Sequence, residues 1–275
     1  MSSLRQVLSK KLSKRDLALL RAGFDVVGDI AIIEVPFELK KKKKIIADAL
    51  FKLVKNVNTV ACKLGPHFGK FRRQKLEVLA GVKNFITTHK ESGCLFRLDV
   101  EKCYFSPRLG SERLRAAKLI KPGESVFVAC SGVAPFPIVF AKHSRAKRIV
   151  ALELNPVAHK FALENIRLNK VQDKVKAFKG DVKKAFEIVH EKFDRLFLPA
   201  PKEGSSLLPP LLKLAKKGAF FHVYDFASEG AFSEVAERVR LACEKVKKKC
   251  EILGVVKCGQ HAPRVFRVRV DARLV

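Results

Sequence analysis

The chain has 275 residues, enough for one large domain or two modest ones, and 48% of them are hydrophobic, which excludes global disorder. Its 56 Lys and Arg stand against 27 Asp and Glu, a formal net charge of +29. Such an excess repels itself unless a polyanion screens it, so nucleic acid is the first partner indicated and an anionic membrane surface the second. No apolar run reaches the ~18 residues of a spanning helix, and the opening MSSLRQVLSK has no long apolar block of the kind a secretory signal carries.

Leu4–Leu12 and Arg15–Arg21 read as two short helices. Residues Phe24–Val35 (FDVVGDIAIIEV) are rich in Val and Ile and read as strand, broken by a bulge or tight turn at Gly28-Asp29. The basic run Lys40–Lys44 leads into a helix with apolar residues at helical spacing (Ile45, Ala49, Leu50, Leu53, Val54). Strands are expected at Thr59–Leu64, Lys75–Leu79 and Cys94–Val100. After Tyr104 helix and strand signals alternate. Helices are predicted near 110–120, 135–142, 156–169, 182–190 and 205–216, with strands at 125–130, 147–153, 175–179, 194–198 and 218–224. That rhythm predicts a parallel sheet with helices on both faces. A helix near 230–247 precedes two strands, Glu251–Lys257 and Arg264–Val270, close enough to pair antiparallel at the sheet edge. The fold class is therefore α/β: a smaller N-terminal unit, 1–96, and a Rossmann-like sheet, 97–275.

Seven scattered Cys form no CxxC pair and have no His at ligand spacing, which argues against a disulfide framework and structural zinc, so no metal site is expected. Reduced thiols in a cytoplasmic protein are the plain reading. The run Val126–Pro135 (VFVACSGVAP) is an apolar strand entering a small-residue turn and then a helix, where backbone can approach a ligand and a helix N-terminus offers free N–H groups. Glu153 ends the next strand and can accept both hydroxyls of a ribose. Asp181, in Gly180-Asp181-Val182 at the third strand's tip, can accept an adenine amino proton. No G-x-x-x-x-G-K-[ST] is present, and the three-Gly dinucleotide fingerprint is missing. One Gly turn followed by acids at the second and third strands suits S-adenosylmethionine better than NAD. Other features have bland readings: Lys247–Lys249 as helix-end solvation, His89 and His222 as structural residues, Cys130 as a small packing residue, and Tyr224-Asp225-Phe226 as a strand end.

With these residues in view the sequence resembles the archaeal tRNA (guanine-37-N1) methyltransferases, a family related to the wybutosine aminocarboxypropyl transferases. The carriers are FDVVGDIAII (24–33), GKFRRQKLEVLAG (69–81), HKESGCLFRLDVEKCYFSPRLGSER (89–113), ELNP (153–156), GDV (180–182), LPAPK (198–202) and GQHAPRVFRVRVD (259–271), with FSPRL-x-x-ER the most diagnostic. The resemblance implies an RNA-contacting N-terminal domain and a methyltransferase domain, S-adenosylmethionine as donor, and the tRNA anticodon stem-loop as partner of a cytoplasmic monomer, without the extra N-terminal domain of longer relatives. It implies Glu112 as general base, Arg72 stabilising the guanine O6, and the Pro199 backbone holding the base edge. Tyr104, Pro107, Gly132, Val133, Ala134, Glu153, Leu154, Asn155, Asp181, Val182 and Pro201 are expected around the donor, and Arg72, Arg73, Arg108, Arg113 and Lys202 on the RNA.

Three positions depart from the family pattern: Ala129 where an Asp often closes the first strand, Gly132-Val133-Ala134 where Gly-x-Gly is common, and Pro199-Ala200-Pro201 in place of Asn-Leu-Pro. In the implied chemistry a carboxylate removes the N1 proton as the methyl transfers, best from partly apolar surroundings that raise its pKa. Two rival readings stay open: aminocarboxypropyl or imidazo-guanosine methyl transfer, and a non-catalytic RNA-binding protein whose donor site has decayed.

Overall fold

The computed structural model of the chain describes residues 3–200 and 204–275. Its Cα positions form two units, one of Met1–Lys90 with Leu95–Pro107, the other of Glu91–Cys94 with Arg108–Val275. The first unit thus runs past the 96/97 division read from the change of pattern. Backbone bonds from Gln74 N to Glu101 O and from Val100 N to Phe85 O hold the 95–107 stretch there.

In the first unit, α1 (Leu4–Leu8) and α2 (Lys14–Leu19) each start at a serine, Ser3 and Ser13, in a capping box closed by Gln6 and Asp16. Strands β1 (Phe24–Val27) and β2 (Ile30–Ile33) form a hairpin. Its turn needs Gly28: φ is +57°, and a Cβ there would meet the Thr87 side chain and the Thr88 carbonyl. Helix α3 (Lys43–Leu53) buries Ile46, Ala47, Ala49 and Leu50 and carries the chain to β3 (Thr59–Lys63), parallel to β2, with β4 (Leu76–Gly81) antiparallel beyond it. The core gathers Leu4, Leu8, Ile33, Ile46, Leu50 and Val60. A two-stranded pair follows, β5 (Ile86–Glu91) with β6 (Cys94–Asp99). Strand β5 was not expected: Thr87 is its one buried residue, so ITTHKE carries no apolar alternation.

In the second unit, α4 (Gly110–Ala117), β7 (Ser125–Val128), α5 (Pro135–His143), β8 (Arg148–Glu153), α6 (Pro156–Leu168), β9 (Val175–Lys179), the single turn α7 (Ala185–Ile188), β10 (Phe193–Leu198) and α8 (Gly204–Leu211) lead to the long β11 (Ala215–Ser228). Helix α9 (Phe232–Glu244) precedes the hairpin β12 (Cys250–Ala262) and β13 (Val265–Leu274), which closes one sheet edge antiparallel as expected. The seven-stranded order is β12-β13-β11-β10-β7-β8-β9. The chain runs outward from β7 through β8 to β9, then returns to β10 on the other side, which places the topological switch point between β7 and β10.

Strand β13 alternates in a way that divides the sheet's two faces. Phe266, Val268, Val270, Ala272 and Leu274 join one apolar core with Phe221, Val223, Val235 and Val239. Arg267, Arg269, Asp271 and Arg273 occupy the opposite register positions. Parallel pairing of β10 with β11 ends at Leu198 and Val223, whereas β11 continues to Ser228 against β13 alone. A ribbon of β11, β13 and β12 therefore extends beyond the carboxyl edge of the parallel strands.

Candidate active site

The turn after β7 is built from three left-handed residues, Cys130 (φ +48°), Gly132 (+58°) and Ala134 (+66°). Two of them carry a Cβ in a conformation that disfavours one, a strain typical of functional turns. It is held from outside: Asn165 Nδ2 of α6 donates to the Val133 carbonyl at 3.0 Å, and Val133 and Ala134 are fully buried. The expected helix N-terminus is poorer in donors than the sequence reading supposed, because Pro135 and Pro137 remove two first-turn N–H groups and Ala134 N is spent on Ser131 O.

Glu153, at the tip of β8, accepts from Gly132 N through Oε2 and from Asn155 N through Oε1, both at 2.7 Å. Burial pushes its pKa up, against the opposing pull of these N–H bonds. A carboxylate offers about four lone-pair sites; with Leu154 N also donating, one is left over for a ribose hydroxyl. Asn155 caps α6 with its side chain on Val157 N, and Leu154 is half-buried beside it. Asp181 caps the next turn through Lys183 N, with Val182 buried after it, and Gly180 N donates to Glu153 O, which ties the second and third strand tips together. Ser131 Oγ is buried without a hydrogen-bond partner inside this turn. An orphaned hydroxyl, a turn of small residues and a carboxylate with a spare lone pair fit an adenosyl-type donor.

Glu112 is in the first turn of α4 and 2% exposed. Its Oε1 accepts from Tyr224 Oη at 2.8 Å and Arg269 Nη1 at 2.5 Å; its Oε2 accepts from Arg115 Nε at 2.7 Å and from Arg115 Nη2. The partly apolar surroundings expected for it are absent: two guanidiniums and a phenol face the carboxylate. Tyr224 stands edge-on to Phe136 of α5, ring centroids 5.7 Å apart, which links Glu112 to the helix that leaves the donor turn. Behind Arg269 the ionic chain continues across the sheet. Arg269 grips Asp271 through two bonds, Asp271 Oδ1 meets His222 Nδ1 at 2.7 Å, His222 Nε2 meets Arg195 Nη1 at 2.8 Å, and Arg195 holds Glu124 through two bonds. Arginine cannot accept, so the His222 proton is on Nδ1 and points at Asp271. Burial drives His222 down to about 4 against the opposing effect of Asp271, and the bonds from His222 and Arg269 hold Asp271 at about 2 although burial opposes them.

Within the first unit, two more expected site residues meet. The Arg72 guanidinium lies over the Tyr104 ring at 4.0 Å, and His67 packs edge-on against the same ring at 5.2 Å. Arg72 adopts φ +52° and its buried Nε has no partner. Arg73 is exposed over Phe68, and Pro107 and Arg108 form a single turn with Arg108 exposed. Pro199 is half-buried just after β10; Pro201 and Lys202 lie outside the described residues. Arg113 corrects the sequence reading. It is 1% exposed and bound through two nitrogens to Glu91, so it is an internal ion pair rather than an RNA contact. The sequence reading also missed Ser131, Arg115, Tyr224 and Arg269. The alternation of charge in β13 and of His222 with Tyr224 in β11 was the signal that could have found the last two. Among the described residues no group of three or more His, Cys, Asp or Glu could hold a metal ion, and no helix is long and apolar enough to cross a membrane.

Comparison with known proteins gives a consistent picture. The TRM5/TYW2 methyltransferase domain family matches residues 87–253, and the TYW2 N-terminal domain family matches 4–84. The tRNA (guanine(37)-N(1))-methyltransferase Trm5b of Pyrococcus abyssi is 38% identical over 256 residues, 93% of this chain and 76% of that protein. A crystal structure of Trm5b from P. abyssi superposes with a TM-score of 0.88 at 36% identity, covering 100% of this chain and 81% of that one. A structure of aTrm5 with tRNALeu superposes at 0.86, with 31% identity and coverage of 100% and 78%. A Pyrococcus horikoshii tRNA(Phe) (4-demethylwyosine(37)-C(7)) aminocarboxypropyltransferase is 32% identical over 98% of this chain and 96% of its own. P. horikoshii TYW2 in complex with MeSAdo superposes at 0.79, with 30% identity and coverage of 98% and 97%.

Proposed function

We propose, for a chain that belongs to the TRM5/TYW2 methyltransferase family, that it transfers the methyl group of S-adenosylmethionine to N1 of guanosine 37 in tRNA. The observation that carries this reading is Glu112, a buried carboxylate joined through Tyr224 and Phe136 to the helix that leaves the donor turn. Bound S-adenosylmethionine supplies an electrophilic methyl on a sulfonium. Glu153 would take a ribose hydroxyl on its remaining lone pair, Asp181 would take the adenine amino group, and Ser131 Oγ would gain the partner it lacks.

The guanine N1 carries a proton at neutral pH and is a poor nucleophile until a carboxylate removes it. Glu112 accepts that proton at Oε2 once Arg115 gives way, while Tyr224 and Arg269 keep Oε1 fixed. Loss of the proton moves negative charge onto O6, which a guanidinium donor suits. Unstacking the target base from the anticodon loop costs roughly a few kcal/mol. Phosphate contacts from a surface of net charge +29 offset it, so affinity falls steeply with salt.

Pro199 favours a second reading. It stands where the family often has Asn, whose side-chain amide a proline cannot supply, and residues 4–84 match the TYW2 N-terminal domain. Aminocarboxypropyl transfer is that reading. Mass spectrometry of nucleosides from unmodified tRNA incubated with protein and S-adenosylmethionine decides: a single methyl on guanosine supports the first, an aminocarboxypropyl increment on a wyosine-type base the second.

A further inference from the structure

Beyond Tyr224 and Arg269 the ribbon presents a second feature on the face where Glu112 docks. Tyr224 is directly opposite Arg269, and two residues along each strand Phe226 is directly opposite Arg267. Residues i and i+2 of a strand share a face and are ~7 Å apart, so the second pair is one pleat beyond the carboxylate, outward along the overhanging ribbon. There His261 of β12 stacks on Phe226, with ring centroids 4.0 Å apart and planes 24° from parallel, and the Arg267 guanidinium lies 5.6 Å from the Phe226 ring. His261 is exposed and Phe226 half-buried, so the stack ends in a ring open to solvent. Arg115, 45% exposed, reaches from α4 to the Lys257 carbonyl and adds a second cation beside the ribbon. Asp225, on the opposite face, is held by Arg238.

An aromatic stack with an exposed outer ring suits a nucleobase, because every base has a π-face to place on it; Arg267, 8% exposed, backs Phe226 from within, and the part-exposed Arg115 offers a cation to a phosphate along the ribbon. We propose that the Phe226–His261 stack, with Arg267, is a platform for one unpaired nucleotide of the RNA, the one adjacent to the nucleotide whose base reaches Glu112. The proposal rests on the reading of Glu112 as the residue that meets the target base. It adds a contact that recognises stacking rather than base identity, one pleat from the chemistry.

The test measures affinity of the full chain for a fluorescently labelled RNA hairpin with the anticodon stem-loop sequence, by anisotropy at fixed salt, for wild type, His261→Ala, His261→Phe and Phe226→Leu. Base–aromatic stacking is worth roughly 1–3 kcal/mol per base. His261→Ala is therefore expected to weaken binding about tenfold, Phe226→Leu similarly, and His261→Phe to bind within about twofold of wild type, all with unchanged S-adenosylmethionine affinity by calorimetry. His261→Ala binding as tightly as wild type would overturn the platform. So would His261→Phe binding as poorly as His261→Ala, since that marks a structural role of the histidine. A chain that shows this affinity pattern but transfers no methyl group would sink the enzyme reading and leave the platform standing.

Discussion

Tyr224 Oη donates to Glu112 Oε1 at 2.8 Å, from a phenol that is 1% exposed to a carboxylate that is 2% exposed. Burial and the neighbouring Glu112 charge push the Tyr224 pKa up, so the phenol stays protonated and remains a donor. In the proposed mechanism Tyr224 therefore acts through Glu112, as a positioning residue. Tyr224→Phe keeps the ring against Phe136 and removes one bond to an ionised group, a loss of about 1.5–3 kcal/mol in stability. Turnover is expected to fall about tenfold while KM for tRNA stays within twofold. A rise in KM with unchanged kcat would show that Tyr224 serves RNA binding instead.

Glu112→Gln is expected to lower kcat by about 10²–10⁴-fold, the usual worth of a general base, with tRNA affinity unchanged. The same carboxylate neutralises Arg269, whose side chain is 3% exposed. Removing one partner of a buried pair costs about 3–5 kcal/mol, so urea denaturation must accompany the kinetics. Wild-type turnover in a folded Glu112→Gln protein would remove the proposed chemistry.

Arg115, Tyr224 and Arg269 all bond Glu112 in the resting structure, with the Cys258 thiol against it as well, so accepting a proton requires a partner to leave. Arg269 and Tyr224 are buried, whereas the Arg115 side chain is 45% exposed and can swing into solvent or onto a phosphate. Arg115→Ala is therefore expected to keep kcat within about threefold of wild type, while Arg269→Gln loses most turnover. Equal losses in both variants, measured under single-turnover conditions, would count against Arg115 as the yielding partner.

The contrast between Arg113 and Arg115 shows where sequence reading stops. Both follow Glu112 in SERLR; Arg113 was expected on the RNA and Arg115 drew no reading, and only the fold places Glu91 against the first and solvent against the second. The alternation after Tyr104 and the strand-end places of Glu153 and Asp181 were legible, because where a strand starts and stops follows from local pattern. The partners of Glu112 were not, because Tyr224 and Arg269 are 112 and 157 residues away in the chain and meet it only through the β11–β13 register. The donor-poor start of α5 could have been read from Pro135 and Pro137.

Glu153 is engaged by the backbone N–H groups of Gly132, Asn155 and Leu154 and retains a lone pair for a ribose hydroxyl. Glu153→Gln replaces one acceptor oxygen with an NH₂ donor facing Gly132 N or Asn155 N, which disturbs the turn as well as the ribose contact. S-adenosylmethionine affinity is expected to drop at least tenfold by calorimetry, with RNA affinity unchanged. An unaltered Kd for the donor would place the adenosyl group away from the β8 tip.

His222 gives the fold an acid-sensitive element. Its folded pKa is lowered from 6.5 to about 4, chiefly by burial, with Arg195 and Arg269 also opposing protonation and Asp271 favouring it. The unfolded chain takes up a proton as pH falls below 6.5, and the folded chain does not until about 4. The stability from neutral His222 is therefore fully present above pH 6.5 and is lost progressively down to about 4, a loss of about 3 kcal/mol. Asp271, lowered from 3.8 to about 2, adds a separate loss below pH 3.8. His222→Gln can still accept from Arg195 and donate to Asp271, but it cannot titrate. Urea denaturation at pH 7.5 and 4.5 should show a drop for wild type that is smaller by about 2–3 kcal/mol in His222→Gln. Parallel curves for the two proteins across that range would mean that His222 is protonated with equal ease folded and unfolded, and the ionic chain behind Glu112 would then owe nothing to its neutral imidazole.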